Sequence, residues 1–540
     1  MSRMVEIMTN RIHRPIITLT FVALSLCGCT VGPKYHPPSA TLTPPPPTYK
    51  ELPKQPQDSG DWKVAQPQDS LLRGKWWEIY NDPELNALEE QLNINNQNIR
   101  QFFENFMQAR TLVAQARSQL YPTIGTTPAI TRSRSSANLN NLSNSSNSGN
   151  GSGGTGGTGS GSTGSGSSGS TTSTAGRQVS LFTLPFDISW EPDLWGRVRN
   201  IIHEFQYNAQ LSAADLENER LTEQASLAVF YFELRGQDAL QQVFDTTVEA
   251  DRRSVELTRA RFETGVDTEI SLVQAENALQ NAEASATNLG VARAQFEHAI
   301  AVLIGKPASD FSMPLKPLNA APPEIPVGVP SQLLERRPDI AAAERNMASA
   351  NAQIGIATAA YYPSLTLSAQ AGLESSTLKN LFQWPSRFWS VGPSVSETLF
   401  DAGLRRATVN QFEALYNANV ASYRQTVLAA FQQVEDSMAT VRILSKQIQQ
   451  QQLAVGTAER YLELAQARYE TGVDQYLNVL VAQTTLLNDQ QQLASLHTQA
   501  MTASVQLIEA LGGGWDRSQL PTPAQVSERV TKSAIESPNQ

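Results

Sequence analysis

Residues 260–267 read Ala-Arg-Phe-Glu-Thr-Gly-Val-Asp, and residues 467–474 read Ala-Arg-Tyr-Glu-Thr-Gly-Val-Asp. The two segments differ at one position and lie 207 residues apart. The same offset relates three further pairs of identical residues: Gly196 and Gly403, Arg199 and Arg406, and Gly305 and Gly512. A constant offset between matching motifs indicates that the chain contains an internal duplication.

The first copy carries an insertion. Residues 121–124 (Tyr-Pro-Thr-Ile) match residues 362–365 (Tyr-Pro-Ser-Leu) at an offset of 241, which exceeds the main offset by 34. A run of Ser, Gly, Asn and Thr at 133–174 lies in that interval. We therefore expect a flexible polar loop between the first two strands, facing the cell exterior.

Each copy is predicted to contain a long helical hairpin. No proline occurs between Asp193 and Lys306 or between Ser394 and Leu520. One Thr-Gly pair interrupts each stretch, and glycine there permits a tight reversal between two helices. A 4-3 spacing of apolar residues in the second copy is typical of a coiled-coil seam. These residues are Val427, Phe431, Val434, Met438, Val441 and Ile448.

Four strands are predicted, two in each copy. Residues 182–190 and 365–373 alternate apolar with polar side chains, which indicates strands with one apolar face. Weaker partners are expected after Pro122 and around 389–395. Aromatic residues crowd the strand ends, as in strands of membrane β-barrels. Four strands cannot close a membrane barrel, which needs at least about eight, so several chains must share one barrel.

The N-terminus has the features of a secretory signal, residues 1–28. Basic residues precede an eleven-residue apolar run at 16–26, which is shorter than the about 20 residues needed to span a bilayer. The run ends in Leu26-Cys27-Gly28-Cys29, which resembles a bacterial lipobox with Cys29 as the lipidated residue. Thr30 follows and, by resemblance to Gram-negative lipoproteins, points to the outer membrane.

Composition argues against several functional classes. The net charge is −10 and no basic patch stands out, so nucleic acid is not an expected partner. The five histidines show no metal-ligand spacing, and no nucleophile or phosphate-binding motif has a supporting context. The sequence therefore predicts neither an enzyme nor a cofactor or metal site.

Taken in order, the motifs resemble the TolC-like outer membrane efflux family, in its lipoprotein branch of the NodT and OprM type. The matching segments are Cys29–Tyr35, Trp76-Trp77, Asp82–Leu85, Asp193–Arg197, Arg336–Ile340, Tyr362-Pro363, Leu399–Gly403 and the two Arg-Phe/Tyr-Glu-Thr-Gly turns. The resemblance implies a homotrimer in which each chain gives four strands to a shared 12-stranded transmembrane β-barrel. A long periplasmic α-helical barrel with a mixed equatorial belt would continue it.

The same resemblance implies a channel of a tripartite efflux system that passively conducts drugs or other small solutes. Its partners would be a periplasmic adaptor, a proton-driven inner-membrane pump and outer membrane lipid. The protein would lie in the Gram-negative outer membrane, anchored by palmitate at Cys29, with a large periplasmic part.

The resemblance also assigns roles at the periplasmic tip. Candidate tip or gate residues are Asp267, Glu269, Tyr469 and Asp474, and candidate adaptor-contact residues are Arg261, Thr264, Gly265, Arg468, Thr471 and Gly472. The acidic residues and arginine that form the gate in other members fall on Ser271, Asn478, Val481 and Thr484 here. We expect Asp267 and Asp474 to repel one another around a narrow opening and to attract cations.

The predicted segments follow the duplication. After the signal come an N-terminal extended segment and equatorial start (29–83), repeat 1 (84–305), a linker (306–330), repeat 2 (331–512) and a polar tail (513–540) that is expected to fray. Two alternatives stay open. A type I secretion conduit would be distinguished from an efflux channel by whether a transporter ATPase or a proton-driven pump is encoded nearby. A periplasmic coiled-coil scaffold lipoprotein would be distinguished by whether the purified protein depends on detergent.

Overall fold

The computed structural model describes residues 30–42, 49–51, 74–134, 178–318, 321–325 and 333–528. The predicted signal segment 1–28, the lipidation site Cys29 and residues 135–174 of the polar loop lie outside the described residues. The chain divides into two compact units, a β-sheet built from 118–194 and 362–400, and a helical unit that contains most of the remaining described residues.

The helices are numbered in chain order. They are α1 Pro83–Asn95, α2 Gln97–Ser118, α3 Arg197–Glu263, α4 Glu269–Leu303, α5 Leu333–Arg336, α6 Pro338–Ala359, α7 Leu404–Glu470, α8 Tyr476–Ala510 and α9 Pro523–Val526. Short 3-10 turns occupy Trp76–Tyr80, Ala308–Asp310, Leu378–Asn380, Trp384–Ser386 and Arg517–Gln519. Within the described part of the chain, no helix is long and apolar enough to cross a membrane.

The two long hairpins have the same dimensions. Helices α3 and α7 each contain 67 residues, and α4 and α8 each contain 35. All four bounds are related by the 207-residue offset of the sequence motifs. Gly196 and Gly403 precede α3 and α7 with φ of 80° and 90°, a left-handed conformation that glycine adopts without strain. The duplication therefore fixes helix length and helix start together.

The predicted seam of α7 is buried. Val427, Val434, Met438 and Ile448 lie in the core, with Phe431 and Val441 packed against it. Helix α7 packs against α8, and α3 packs against α4, α6 and α8. Because these core-facing residues recur every three to four positions, α7 presents an apolar stripe to its neighbours.

A buried charge network joins the first hairpin to the start of α1. The Arg235 guanidinium is 2% exposed and contacts Glu84 at 2.6 Å and Asp238 at 3.1 Å. Arg293 contacts the other oxygen of Asp238 at 2.7 Å. Each buried charge of this network has an opposite charge within hydrogen-bonding distance, which is the condition under which burial of charge is tolerated.

The N-terminal segment 30–42 lies along the helical unit. The Val31 N–H donates to the Trp195 carbonyl at 3.0 Å, and the Asn200 amide donates to the Val31 carbonyl at 3.1 Å. A Cβ on Gly32 would lie 2.6 Å from the Cα of Gly355, so the segment approaches α6 as closely as a backbone can.

The C-terminal segment corrects the prediction of a frayed tail, as far as residue 528. Trp515 is buried, and Val526 packs between Val113 of α2 and Ala209 of α3. The Arg117 guanidinium donates to the Ser527 carbonyl at 2.9 Å. Burial of these apolar side chains stabilises a segment that its polar composition alone would leave unfolded.

Five strand segments fill four positions in one antiparallel sheet. They are β1 Thr123–Thr126, β2 Ala129–Arg134, β3 Gln178–Trp190, β4 Ser364–Ser375 and β5 Arg387–Ser396. Strand β3 pairs with β4 on one side and with both β1 and β2 on the other, and β4 pairs with β5. The four predicted strand positions are thus confirmed, the first being interrupted at 127–128.

The register gives the sheet one apolar face. Ile124, Ile188, Ala369 and Val391 are successive partners across four strand positions. On the opposite face of the sheet, the Gln370 amide donates to the Asp187 carboxylate at 2.7 Å. Val391 is 73% exposed, so the sheet presents unpartnered apolar side chains, as expected for a lipid-facing surface.

Candidate functional site

Both Thr-Gly pairs form tight turns between the hairpin helices. Gly265 has φ of 75° and Gly472 has φ of 76°. At each turn the glycine N–H donates to the carbonyl three residues earlier at 2.9 Å, and the preceding threonine hydroxyl donates to the carbonyl four residues earlier. These bonds satisfy the last carbonyls of α3 and α7, which have no partner within their own helices.

Side chains of the two turns meet in what we call the turn contact, formed by Arg261, Asp267, Tyr469 and Glu470. The Tyr469 hydroxyl donates to Asp267 Oδ2 at 2.5 Å. The Arg261 guanidinium carbon lies 4.7 Å from the centroid of the Tyr469 ring, and Nη1 donates to the Glu470 carbonyl at 3.2 Å. Three different interactions therefore join the first copy to the second at this point.

A small apolar cluster supports the turn contact. The Tyr469 and Tyr476 rings meet edge to face with centroids 5.5 Å apart. Val255 of α3 and Val479 of α8 are buried in the same cluster. The Tyr469 side chain is therefore held in one position by packing as well as by its hydrogen bond.

Asp267 and Asp474, which we expected to repel one another and to attract cations, each lie beside an arginine. Asp474 forms an ion pair with Arg468 at 2.5 Å, and Asp267 lies 3.7 Å from Arg261. Each aspartate therefore has an arginine of its own turn beside it, and the pairing reduces the negative potential that a ring of carboxylates would create.

The surroundings lower the pKa of both aspartates. At Asp267, partial burial acts to raise the pKa, but hydrogen bonds from Tyr469, Ser271 and the Thr268 N–H, together with the Arg261 charge, lower it below the ordinary value. At Asp474, the hydrogen bond from Arg468 lowers the pKa. Both carboxyls are therefore ionised at neutral pH.

Two further candidate residues, Glu269 and Arg261, differ in their position relative to the turn contact. Glu269 is exposed in the first turn of α4, outside the turn contact. Arg261, predicted as an adaptor contact, lies in the turn contact. Thr258 was missed by sequence reasoning: it is fully buried in α3, with its hydroxyl 3.4 Å from that of Tyr469. No motif marks Thr258, because its role depends on packing across the two copies.

Apolar side chains are exposed at matching positions beside both turns. Val266 and Val473 are 65% and 64% exposed, and Ile270 and Leu477 are also exposed. Each pair is related by the offset of 207. In the described ranges, no group of three or more His, Cys, Asp or Glu side chains is placed to hold a metal ion.

Comparison with known proteins identifies the family. A profile described as outer membrane efflux protein matches residues 88–306 and 329–513, which is most of the chain. The chain belongs to the outer membrane efflux protein family. Both matched blocks contain one of the long hairpins, so the family pattern extends through the duplication described above.

Relatives within the efflux family align over nearly the whole chain. The protein is 30% identical over 508 residues to the probable efflux pump outer membrane protein TtgC and to the antibiotic efflux pump outer membrane protein ArpC, both of Pseudomonas putida. The alignment covers 93% of this chain and 96% of each relative. Outer membrane protein OprJ of Pseudomonas aeruginosa is 28% identical over 510 residues, with the same coverage.

Solved structures of outer-membrane channels share the fold. The channel OprN superposes with a TM-score of 0.77 at 26% identity, covering 90% of this chain and 100% of that one. The Neisseria gonorrhoeae MtrE outer membrane channel gives 0.72 at 23% identity, covering 91% and 99%, and supports the fold alone. The predicted fold class and outer membrane location are confirmed, and membership in an efflux channel family argues against the scaffold alternative.

Proposed function

We propose that this protein is the outer membrane subunit of a tripartite efflux system, assembled as a homotrimer. The observation that carries the proposal is the pairing of two equal helical hairpins through the turn contact, in a chain of the efflux family. Such a chain can form a wall of a channel and can hold its narrow end closed by side-chain contacts.

A shared barrel follows from the open edges of the sheet. The sheet ends at β1 and β2 on one side and at β5 on the other. Unpaired edge groups cost several kcal/mol each in lipid, so the edges must pair with those of other chains. Three chains would supply twelve strand positions, which is enough for a closed barrel.

The partners would be a periplasmic adaptor and a proton-driven inner-membrane pump. Exposed Val266, Ile270, Val473 and Leu477 give the two turns matching apolar surfaces that fit an adaptor. The relatives named for antibiotic and toluene efflux support a cargo of small organic compounds. The chain would conduct that cargo passively and catalyse no reaction.

The turn contact would be the closed state of the gate. Asp267 and Tyr469 lie on different copies, so an opening movement that separates the hairpins must break their hydrogen bond. Arg261 would move with Asp267 and leave the Tyr469 ring. Arg468 and Asp474, paired within one turn, would move together and keep their contact.

The lipid anchor would be attached at Cys29 and would carry palmitate. Thr30, the next residue, lies against Gly196, where an added Cβ would come within 2.9 Å of the Thr30 Cα. Mass spectrometry of the mature N-terminus tests this proposal, and an unmodified Cys29 or cleavage at another residue contradicts it.

Co-expression tests the whole proposal. The full chain is produced with the adaptor and pump encoded beside it, in a Gram-negative host that lacks its own outer membrane efflux channel. We expect reduced accumulation of a fluorescent cation such as ethidium, abolished by a protonophore and unaffected by vanadate. Export that vanadate blocks would instead support the type I secretion conduit. Unchanged accumulation, together with no current from the purified protein in planar bilayers, contradicts a channel.

A further inference from the structure

The internal duplication relates the turn contact to a second contact that a single chain cannot make. We infer that Arg468 and Asp474 of one chain pack against Phe262 of an adjacent copy of the same chain. This inference rests on the proposed homo-oligomer and names the surfaces through which its hairpins meet.

The positions follow from the repeat. In the turn contact, Arg261 and Asp267 of the first copy meet Tyr469 of the second. At the offset of 207, the positions equivalent to Arg261 and Asp267 are Arg468 and Asp474. The position equivalent to Tyr469 is Phe262. If copies alternate around a ring with similar steps, the second copy meets the first copy of the next chain through these counterparts.

Exposure separates the two sets of equivalent residues. Tyr469 is 4% exposed, whereas its counterpart Phe262 is 39% exposed. The Arg261 side chain is 18% exposed, whereas that of Arg468 is 57% exposed. Since the helices have the same lengths and the same turns, the exposed Phe262 and Arg468 give each chain a surface that the equivalent hairpin of a second copy can cover. An aromatic ring and a guanidinium are also a pair that attract each other when stacked.

A second pair of positions, nearer the middle of the hairpins, gives the same result. The Gln483 amide donates to the Ser254 hydroxyl at 3.0 Å, joining α8 to α3. Their counterparts are Glu276 of α4 and Tyr461 of α7. A phenol donates to a carboxylate, so the counterparts are also complementary. Glu276 already pairs with Arg259 of its own chain at 2.8 Å through one carboxylate oxygen, and its second oxygen can accept from a phenol. Gln483 is 9% exposed, whereas the side chain of its counterpart Glu276 is 38% exposed.

The contact within a chain and the contact between chains differ in one atom, the hydroxyl oxygen that Tyr469 has and Phe262 lacks. Phe262 can accept the Arg468 guanidinium on its ring face, but it has no hydroxyl to donate to Asp474. Asp474 pairs with Arg468 of its own turn instead, at 2.5 Å. At the turns, the contact within a chain therefore contains a phenol–carboxylate hydrogen bond that the contact between chains lacks.

Cysteine cross-linking in intact outer membranes tests the inference. The chain has two cysteines, Cys27 and Cys29, both at the signal junction, and the parent protein treated in the same way is the control for them. The test variant is Phe262→Cys with Arg468→Cys. The matched variant is Arg261→Cys with Tyr469→Cys, which places the pair within one chain. A short bismaleimide is applied to both, and the products are separated under denaturing conditions.

We expect the test variant to shift from monomer to covalent dimer and trimer bands, and the matched variant to remain a monomer with an internal cross-link. An amine-reactive cross-linker applied to the parent protein reports the oligomer independently. A trimer with that reagent, but no ladder from the test variant, overturns the inference and leaves the proposed channel intact. A monomer in both experiments overturns the inference and the proposed assembly together.

Discussion

The Tyr469 hydroxyl lies 2.5 Å from the Asp267 carboxylate although 202 residues separate them in sequence. The hydrogen bond joins the end of α7 to the turn that follows α3. It is charge-assisted, because Asp267 is ionised, and such bonds are about twice as strong as neutral ones. The first two predictions concern this bond.

Tyr469→Phe should increase the resting conductance of the channel. The variant retains the ring under Arg261 and removes only the hydroxyl. A hydrogen bond to a charged group contributes about 1.5–3 kcal/mol, which corresponds to a shift of about 10- to 100-fold toward the open state. Planar-bilayer recordings measure the shift. Glu269→Gln is the control, since Glu269 is exposed and lies outside the turn contact, and its effect should be much smaller. Unchanged current in Tyr469→Phe would mean that the gate lies elsewhere.

The Asp267–Tyr469 hydrogen bond should add no pH dependence to the closed state across the physiological range. The pKa of Asp267 is lowered in the folded protein. A carboxyl with a lowered pKa contributes stability that is present above its unfolded pKa and is lost as the pH falls through the folded value. The part of the resting current that depends on this bond should thus be constant from about pH 8 to pH 5 and should rise only below about pH 4. In Asp267→Asn that rise should be absent. Opening between pH 5 and 7 that is present in the parent protein and absent in Asp267→Asn contradicts this assignment.

Leucine at Gly265 or Gly472 should spare assembly and weaken adaptor docking. Both glycines have positive φ, which costs about 1 kcal/mol for another residue. No atom lies within 4 Å of a Cβ added at either position, so the turn itself has room. The new side chain would instead project from the proposed docking surface.

Adaptor cross-linking and drug susceptibility measure the effect of these leucines, and heat-resistant oligomer on gels reports assembly. Gly456→Leu is the control, since Gly456 lies within α7 and also has open space around its Cβ. Loss of oligomer in Gly265→Leu, or full docking with both turns substituted, counts against the prediction.

Arg235→Met should destabilise the helical unit strongly. The substitution preserves much of the apolar stem but leaves Asp238 and Glu84 without the guanidinium that they contact. Removing one partner of a buried ion pair costs about 3–5 kcal/mol. Thermal unfolding followed by circular dichroism measures the loss. Arg252→Met, in the same helix but at an exposed pair with Glu283, should cost less than about 1 kcal/mol. Equal effects of the two substitutions would show that the network adds no stability.

Removing about 34 residues from the polar loop at 133–174 should leave assembly and export largely intact. The reason is the repeat, since the second copy connects its strands without this insertion. Oligomer on gels and ethidium accumulation measure the outcome. A deletion of the same length inside α7 is the control and should abolish both. Loss of oligomer in the loop variant would assign the loop a structural role.

The hairpins and the strands could be predicted from the sequence because both depend on local patterns of residues. The helical seam of α7 follows from apolar spacing, and the turns at Gly265 and Gly472 follow from a repeated motif whose conformation only glycine adopts easily. The weakest strand prediction, after Pro122, corresponds to the one strand position that is interrupted, between β1 and β2.

The partners of the charged side chains could not be predicted in the same way. Whether Asp267 binds Tyr469 or remains free depends on how α3 and α7 pack, which involves residues about 200 positions apart. The C-terminal segment was missed for a related reason. Its few apolar residues, Trp515 and Val526, look insufficient in sequence, yet each enters a site already formed by other helices.

Because the two hairpins have equal lengths, their turns lie level with each other and the turn contact can form. One residue inserted into α3 alone would move the first turn by about 1.5 Å along the helix and rotate it by about 100°. Asp267 would then face away from Tyr469, even though no residue of the turn had changed. A second insertion at the matching position of α7 would shift Tyr469 by the same distance and angle and restore the contact. Changes in the reach of this protein toward its partners must therefore come in pairs, one in each half of the chain.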